Sequence, residues 1–435
     1  MNYRTTGRTP MNRGLSQTID WKLILCYIAL VLIGWISIYA SVHSTEPSSI
    51  FDLGCRSGKQ FLWFGISLAA GVLILFVLNP RFWEAVPLIL YLLVLFLLIL
   101  VIFVSKDVKG SHSWFELGPV KFQPAEISKI TTSLMLAFVM SRQGFRFNTA
   151  KGFLTVAAII GLPMLSIVAE SETGSALVYV GYIFVLYREG LSGWWFVCIG
   201  MAVILFILTL TTHWWISLIF LCVFFLILGF ALLRGRCGRK QRRRRITLLV
   251  LAFFAGAAMI FATDFLFNSV LQDHQRKRIE VLLGMKEDPS GVGYNVRQSM
   301  IAIGSGGLFG KGFLNGTQTT FGFVPEQSTD FIFCTIGEEW GFVGCLVVIL
   351  LYVYMIYRLV EDAEKSRSAF TRIYGYCVAS CLFMHLFINI GMTIGLMPVI
   401  GIPLPMLSYG GSSLLAFTIL IFIFLALHRQ ESKYF

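Results

Sequence analysis

Long apolar stretches are the feature that most constrains this chain. A bilayer core of roughly 30 Å is crossed by about 20 apolar residues in a helix, and twelve stretches of the 435-residue sequence suit that role. They lie near residues 21–41, 61–78, 83–104, 126–141, 152–169, 174–187, 192–212, 214–233, 246–267, 330–357, 372–394 and 406–428. Hydrophobic residues make up 57% and charged residues 13% of the chain, so too few polar side chains remain to cover a water-facing surface. The sequence predicts an all-α polytopic integral membrane protein and excludes a soluble enzyme, a disulfide-stapled secreted domain and a disordered protein.

The charge pattern predicts topology. The chain has 35 Lys and Arg against 23 Asp and Glu, a net charge of +12, which in a soluble protein would hint at nucleic acid. Here the basic residues cluster between apolar stretches, and positive charge stays on the cytoplasmic side. Residues 234–245 are therefore predicted to form a basic cytoplasmic loop beside anionic lipid, residues 1–20 and 429–435 to form cytoplasmic tails, and no nucleic-acid partner is expected. The first apolar stretch lacks a small-residue cleavage site and is interpreted as a span, not a signal peptide.

The same topology places two informative loops, 105–125 and 268–329, on the extracytoplasmic side. The second is much longer than an ordinary connector, and loops of that size are usually functional or disordered. It contains amphipathic and Gly-rich parts, so we expect a large, partly ordered loop that carries function.

A charged pair opens the fourth apolar stretch. Glu126 and Lys129 are three residues apart, which places them on one helical face, and Pro124 fits a helix start. Charged groups near a bilayer are costly and usually pair or face a cavity. One interpretation is a local ion pair that helps insertion. The other is a polar site at the outer mouth of a cavity, where Lys129 offers a cation to a phosphate.

The long loop ends in a Gly-rich segment followed by an acid. Its glycines allow positive φ angles and close backbone approach; they are Gly304, Gly306, Gly307, Gly310 and Gly312. The Gly310–Lys311 pair lacks the spacing of a phosphate loop, so a nucleotide is not expected. Asp330 then lies at the predicted start of the tenth span, either as a capping residue or as a half-desolvated base. The helix dipole weakens such a base and desolvation strengthens it.

Three further features are polar or irregular. Glu170 and Glu172 lie between the fifth and sixth stretches, where two acids could share a proton or form a solvated turn. His385 is expected to be paired inside the helix bundle. Residues 389–413 interrupt an apolar region with three prolines and several glycines, which is tolerated only where the backbone is buried in protein or lines a cavity. This segment indicates a substrate cavity.

Several blocks, in order along the chain, resemble the shape, elongation, division and sporulation family of peptidoglycan glycosyltransferases, which includes RodA, FtsW and SpoVE. They are WFELGPVKFQPAEISK at 114–129, the block at 293–318, PEQSTDFIF at 325–333, EEWGFVG at 338–344 and GIPLPMLSYGGSS at 401–413. Within the family, GKGFLNGTQ and PVIGIPLP are more like RodA, the elongation member, than FtsW. The resemblance implies one membrane domain over residues 1–435, with a core of about ten spans plus an extra pair.

The resemblance implies a function and a site. The function is polymerisation of lipid II into glycan strands at the outer face of the bacterial cytoplasmic membrane, with release of undecaprenyl pyrophosphate. Asp330 matches the essential loop aspartate and is the expected catalytic residue. Expected substrate-binding residues are Trp114, Glu126, Lys129, Arg297, Lys311, Gln318, Glu326, Ser408 and Tyr409. A class B penicillin-binding protein is the implied partner.

Three departures from the family pattern stand out. Ala125 replaces the usual Ser, and residues 170–175 stand where many members have QPDLGT, which leaves the role of Glu172 open. The twelve predicted spans exceed the usual ten; the extra pair is either 214–233 with 246–267 or 192–212 with 214–233. An inserted pair preserves the orientation of all later spans.

We expect an inverting glycosyl transfer in which Asp330 accepts the proton of the acceptor 4-hydroxyl. The candidates for balancing the negative charge of the leaving pyrophosphate are Lys129, Arg297 and Lys311. A divalent cation stays open, because no dense carboxylate cluster marks a metal site. The alternatives are a lipid II flippase, since broken helices and intramembrane charges also suit a transporter, an FtsW-like division enzyme, and a non-catalytic scaffold that activates a penicillin-binding protein.

Overall fold

The computed structural model is built almost entirely of helices. It describes residues 19–44, 49–105, 113–117, 120–147, 149–234, 238–271, 273–283, 285 and 292–432. The helices are α1 Trp21–Val42, α2 Arg56–Val72, α3 Pro80–Ala85, α4 Pro87–Val104, α5 Pro124–Met140, α6 Ala150–Ala169, α7 Thr173–Val178, α8 Tyr182–Arg188, α9 Trp194–Thr211, α10 Trp214–Leu233, α11 Arg239–Phe265, α12 Asp273–Leu282, α13 Val292–Ser305, α14 Thr317–Thr320, α15 Ile332–Lys365, α16 Ala369–Thr393 and α17 Gly411–Ser432. Two short antiparallel strands, β1 Phe115–Leu117 and β2 Val120–Phe122, precede α5. The all-α prediction is confirmed.

Ten helices in the described part of the chain are long and apolar enough to cross a membrane. They are α1, α2 with the π-helical turn Leu73–Val77 after it, α4, α6, α9, α10, α11, α15, α16 and α17. Two other predicted spans are helical but shorter or broken. The stretch 126–141 falls in α5, which has 17 residues, and 174–187 divides into α7, the 3₁₀ turn Tyr179–Gly181 and α8.

Several helix boundaries are set by local chemistry. The Asp20 side chain caps α1 by accepting from the Lys22 backbone N–H at 3.0 Å, and Pro124 occupies the first turn of α5. The predicted basic loop is a helix from Arg239 onward, because Arg, Lys and Gln favour helix once Gly238 has been passed. The predicted C-terminal tail likewise continues α17 to Ser432. Most of the predicted N-terminal tail, and residues 433–435, lie outside the described residues.

The chain divides into two compact units. The first comprises residues 1–190 and 295–435, and its most enclosed spans are α16 and α17. The second comprises residues 191–294 and packs α9, α10 and α11 around Leu205, Leu221 and Ile260. Both candidates for the added helix pair fall in this second unit.

Helix α15 is broken at Gly341. Its φ of 65° and ψ of −160° are not helical, and a side chain there would meet backbone, since an added Cβ would lie 2.3 Å from the Gly310 nitrogen. An added Cβ at Gly310 would lie 2.1 Å from the Glu339 carbonyl oxygen. The Gly-rich segment therefore packs its backbone directly against the break in α15. Within residues 268–329 lie the three helices α12, α13 and α14.

Candidate functional site

Asp330 lies on a tight turn immediately before α15. The helix begins at Ile332 after Phe331, and Asp330 is half-buried. The Asn389 side-chain amide of α16 donates to the Asp330 carbonyl at 2.8 Å and to the Ile402 carbonyl at 2.7 Å. Asn389 therefore ties the Asp330 turn to the interrupted segment after α16.

Gly401 of that interrupted segment borders the Asp330 carboxylate. Its φ is +78°, and an added Cβ would lie 3.3 Å from Oδ2 of Asp330. Because glycine has no side chain, the backbone of Gly401 can approach the acid this closely. The Pro- and Gly-rich segment, which the sequence indicates as part of a substrate cavity, thus lies beside the candidate acid.

Ser408 and Tyr409 also bind the backbone of the turn. The Ser408 hydroxyl donates to the Thr329 carbonyl at 2.6 Å and accepts from the Leu404 N–H at 2.8 Å. The Tyr409 N–H donates to the Ser328 carbonyl at 2.8 Å. Ser408 is buried, so its hydroxyl serves as a tie between backbones.

Two residues of α2 that the sequence did not single out also reach this region. The Arg56 guanidinium donates to the Ser328 hydroxyl at 2.7 Å. The buried Gln60 amide donates to the Ser408 carbonyl at 3.4 Å, and its oxygen accepts from the Gly410 N–H at 3.2 Å. No local pattern in the sequence could have joined α2 to a turn so distant along the chain.

Glu326 closes the turn that carries Asp330. It is exposed and has a φ of 55°, and its carbonyl accepts from the Thr329 N–H at 3.1 Å and the Phe331 N–H at 3.2 Å. A non-glycine residue with positive φ is uncommon and persists only where the surroundings hold it. Gln327, next in the turn, donates to the Thr319 carbonyl at 2.8 Å.

Glu126 and Lys129 form a buried ion pair in α5. Lys129 Nζ lies 2.9 Å from Glu126 Oε2, and the exposed fractions of the lysine and glutamate side chains are 2% and 4%. The i, i+3 spacing predicted this contact correctly. Lys129 Nζ also lies 4.7 Å from the centroid of the Phe417 ring, so its charge is enclosed by protein.

His385 of α16 completes this cluster. Its Nε2 lies 3.0 Å from Lys129 Nζ, and its Nδ1 lies 3.1 Å from the Pro403 carbonyl. A carbonyl only accepts, so Nδ1 carries the proton and Nε2 accepts from the lysine, which makes His385 a neutral imidazole. The prediction that His385 is paired inside the bundle is confirmed. Its partner was not predicted, because the two residues are 256 positions apart.

The remaining predicted site residues lie in other surroundings. Lys311 pairs with the buried Glu338 at 2.7 Å, and the Gln318 N–H donates to the same carboxylate at 2.8 Å. Arg297 is exposed on α13, and Trp114 is half-buried just before β1. The structure thus brings Glu326, Ser408 and Tyr409 to the Asp330 turn, and it gathers Lys311 and Gln318 around a different acid.

The turn after α6 holds a buried acid. Glu170 is fully buried, and in the described part of the chain neither carboxyl oxygen has a hydrogen-bond partner. Burial, and then the nearby Glu172, raise the pKa of Glu170 to about 9. Glu172 is half-buried and accepts from the Ser113 hydroxyl at 2.7 Å. One interpretation of this acid pair was a solvated turn. It does not fit Glu170, because that side chain is buried.

Comparison with known proteins identifies the family. A family model described as FTSW_RODA_SPOVE, cell cycle protein, matches residues 20–242 and 241–433. The chain belongs to the FtsW/RodA/SpoVE family.

Individual FtsW/RodA/SpoVE proteins match most of the chain. Peptidoglycan glycosyltransferase MrdB of Escherichia coli K12 is 34% identical over 368 residues, 84% of each chain. Peptidoglycan glycosyltransferase RodA of Treponema pallidum is 30% identical over 432 residues, 92% of this chain and 95% of its own.

Solved structures of the FtsW/RodA/SpoVE family share the fold. One, described as structural coordination of polymerization and crosslinking by a peptidoglycan synthase complex, has a TM-score of 0.67 and 26% identity, covering 95% of this chain and 98% of that one. The rod shape determining protein RodA of Thermus thermophilus has a TM-score of 0.59 and 24% identity, covering 95% and 97%. This FtsW/RodA/SpoVE protein is therefore a multi-pass membrane protein.

The raised pKa of Glu170 predicts that the stability of this FtsW/RodA/SpoVE protein depends on pH. The folded protein keeps a proton on Glu170 that the unfolded chain loses above its ordinary pKa of 4.5. The folded state then binds more protons, so stability falls as pH rises, by up to about 1.4 kcal/mol per pH unit between the two pKa values. We expect Glu170→Gln to remove this contribution and to raise the Tm above that of the wild type, most clearly near pH 8.

The measurement is thermal unfolding of both proteins in detergent at pH 5.5 and pH 8. Asp52→Asn is the control, because Asp52 is an exposed acid whose side chain already accepts from the Gly54 N–H at 2.9 Å. A Tm difference between wild type and Glu170→Gln that is the same at both pH values would contradict the assignment.

Among the described residues, no group of three or more His, Cys, Asp or Glu residues that could hold a metal ion occurs. No residue is therefore assigned as a ligand of a divalent cation.

Proposed function

We propose that the protein is a peptidoglycan glycosyltransferase of the elongation type, which polymerises lipid II into glycan strands. The observation that carries this is the Asp330 turn. Asn389, Ser408 and Tyr409 anchor it from two segments, and Gly401 lies against its carboxylate. A half-buried acid fixed in this way suits proton transfer, because a general base must stay within hydrogen-bond reach of the proton that it removes.

The proposed reaction inverts the configuration of the donor sugar. The 4-hydroxyl oxygen of the acceptor sugar attacks the anomeric carbon, and a new carbon–oxygen bond forms. The bond from that carbon to the pyrophosphate oxygen breaks, and undecaprenyl pyrophosphate leaves with the electron pair. Asp330 takes the hydroxyl proton.

The surroundings of the basic residues indicate which of them can balance the negative charge of the leaving pyrophosphate. Lys129 is paired with Glu126 and Lys311 with Glu338, so the charge of each is already balanced within the protein. Arg297 is exposed, and no described carboxylate pairs with it. We therefore favour Arg297 as the pyrophosphate contact, while Trp114, Gln318 and Glu326 keep their proposed roles in holding substrate.

The proposed orientation places both termini in the cytoplasm and Asp330 at the extracytoplasmic face of the bacterial inner membrane. The exposed basic residues at the start of α11 support this, because positive charge stays inside. The proposed partner is a class B penicillin-binding protein, which would cross-link the strands. The similar structure described as a complex for polymerization and crosslinking supports that partner.

The experiment that tests the function separates polymerisation from transport. The purified protein is reconstituted in liposomes with dye-labelled lipid II, with and without the proposed class B penicillin-binding protein. We expect glycan polymer of increasing length on a gel. Dye-labelled lipid that crosses the bilayer without any polymer would instead establish the alternative function, a flippase.

Depletion in cells separates elongation from division. A protein of the elongation type is expected to leave rod-shaped cells round when it is depleted. Long filaments with blocked septa would instead assign the protein to division.

A further inference from the structure

Glu338 is a buried carboxylate that is fully satisfied by one distant segment. Its exposed fraction is 0%. Oε1 accepts from Lys311 Nζ at 2.7 Å, the Gln318 N–H at 2.8 Å and the Thr317 hydroxyl at 3.2 Å. Oε2 accepts from the Thr319 N–H and the Thr319 hydroxyl, both at 2.9 Å. A buried charge is tolerated only when it is paired and hydrogen-bonded in this way.

The backbone of the same segment repairs the break in α15. In a continuous helix the Phe342 and Val343 N–H groups would donate to the carbonyls four residues earlier. Here they donate to the Gly307 and Leu308 carbonyls at 2.9 and 3.1 Å. The Glu338 and Glu339 carbonyls accept instead from the Lys311 and Gly312 N–H groups, both at 3.0 Å. The loop and the helix thus exchange hydrogen bonds, and the groups exposed by the break are paired.

The segment held by Glu338 continues to the Asp330 turn. Gln327 lies three residues before Asp330 and donates to the Thr319 carbonyl and the Ser41 carbonyl. Thr319 is the residue whose N–H and hydroxyl bind Glu338. An unbroken series of hydrogen bonds therefore runs from Glu338 through Thr319 and Gln327 to the turn that carries Asp330.

We infer that Glu338 is a positioning residue for Asp330, and that Lys311 is the counter-ion of Glu338 and not a ligand of the leaving pyrophosphate. Glu338 acts by holding residues 311–319 on the first half of α15, and through Gln327 this holds the turn. The inference rests on the proposed function only in taking Asp330 as the reactive acid. The hydrogen-bond series itself is independent of the reaction.

Lipid II polymerisation by Glu338→Gln, Lys311→Met and the double variant tests the inference. Lys311→Met leaves Glu338 buried without a cation, so we expect kcat to fall about tenfold or more while KM for lipid II changes by less than about twofold. The double variant is expected to be more active than Lys311→Met, because the two residues act as a pair. The control is Lys365→Met, which removes an exposed ion-pair partner at the other end of α15 and is expected to change nothing.

Two kinetic outcomes would overturn the inference. A Lys311→Met variant with a strongly raised KM and unchanged kcat would make Lys311 a substrate ligand. A double variant no more active than Lys311→Met would show that the lysine acts without Glu338.

Hydrogen exchange gives a second measurement that does not depend on activity. In Glu338→Gln we expect faster amide exchange both in residues 311–320 and in residues 326–331. Faster exchange in the first segment alone would disprove the connection to Asp330. If the wild type made no polymer while both segments responded, the proposed reaction would fail and the positioning of the turn would stand.

Discussion

Asp330→Asn is expected to reduce the rate of lipid II polymerisation by about 10²–10⁴-fold, the usual contribution of positioned proton transfer. Asn keeps the size of the side chain and can still occupy the space beside Gly401, but it cannot take the proton of the attacking hydroxyl. The anchors of the turn bind its backbone, since Asn389 reaches the Asp330 carbonyl and Ser408 the Thr329 carbonyl. The turn should therefore keep its shape in the variant, and the effect should fall on kcat.

The measurement is the initial rate of polymer formation from labelled lipid II, with thermal unfolding as a check on the fold. Asp52→Asn is the matched control, because Asp52 is an exposed acid that also precedes a membrane helix and accepts from the Gly54 N–H at 2.9 Å. We expect the control to polymerise at the wild-type rate. Equal polymer from Asp330→Asn and wild type would end the assignment of Asp330 as the base.

Lys129→Met is expected to destabilise the protein by about 3–5 kcal/mol, the usual cost of breaking a buried ion pair. The variant leaves the Glu126 carboxylate enclosed with no cation, and it takes from His385 Nε2 the donor that lies 3.0 Å away. The variant Glu126→Gln/Lys129→Met removes both charges together. It should regain most of the lost stability, because a neutral buried pair avoids the cost of a lone charge.

Thermal unfolding in detergent measures this effect, with Lys22→Met as a control that removes an exposed lysine of α1. If Lys129→Met were as stable as the double variant, the lone Glu126 charge would cost nothing, and this would contradict the pairing of Glu126 with Lys129. Polymerisation by the double variant then gives the functional meaning of the cluster. Near-normal activity would show that Glu126 and Lys129 stabilise the fold and do not contact substrate. Loss of activity in a stable protein would support their proposed contact with substrate.

Features that depend on local sequence were predicted well. All twelve predicted apolar stretches contain helix, and ten helices of the described residues are long and apolar enough to cross a membrane. The three-residue spacing of Glu126 and Lys129 predicted their contact, because helical neighbours are set by spacing. Asp330 was placed correctly at the start of a helix, since the polar residues before it end where an apolar run begins.

Features that depend on tertiary packing were not predicted. The contact of His385 with Lys129, the reach of Arg56 and Gln60 to the Asp330 turn, and the pairing of Lys311 with Glu338 all join residues far apart in the chain. Periodicity cannot report such pairs. The sequence block EEWGFVG contains Gly341, but an apolar run predicts a continuous helix and does not show where its hydrogen bonds are interrupted.

The interruption of α15 has a consequence for how the protein is made. Carbonyl and amide groups exposed at Gly341 could not remain unpaired in hydrocarbon. Residues 306–312, which pair with them, are synthesised before α15 and are therefore already present when that helix leaves the ribosome. Completion of α15 thus depends on a segment that precedes it in the chain, because that segment supplies the hydrogen-bond partners that the helix lacks at its break.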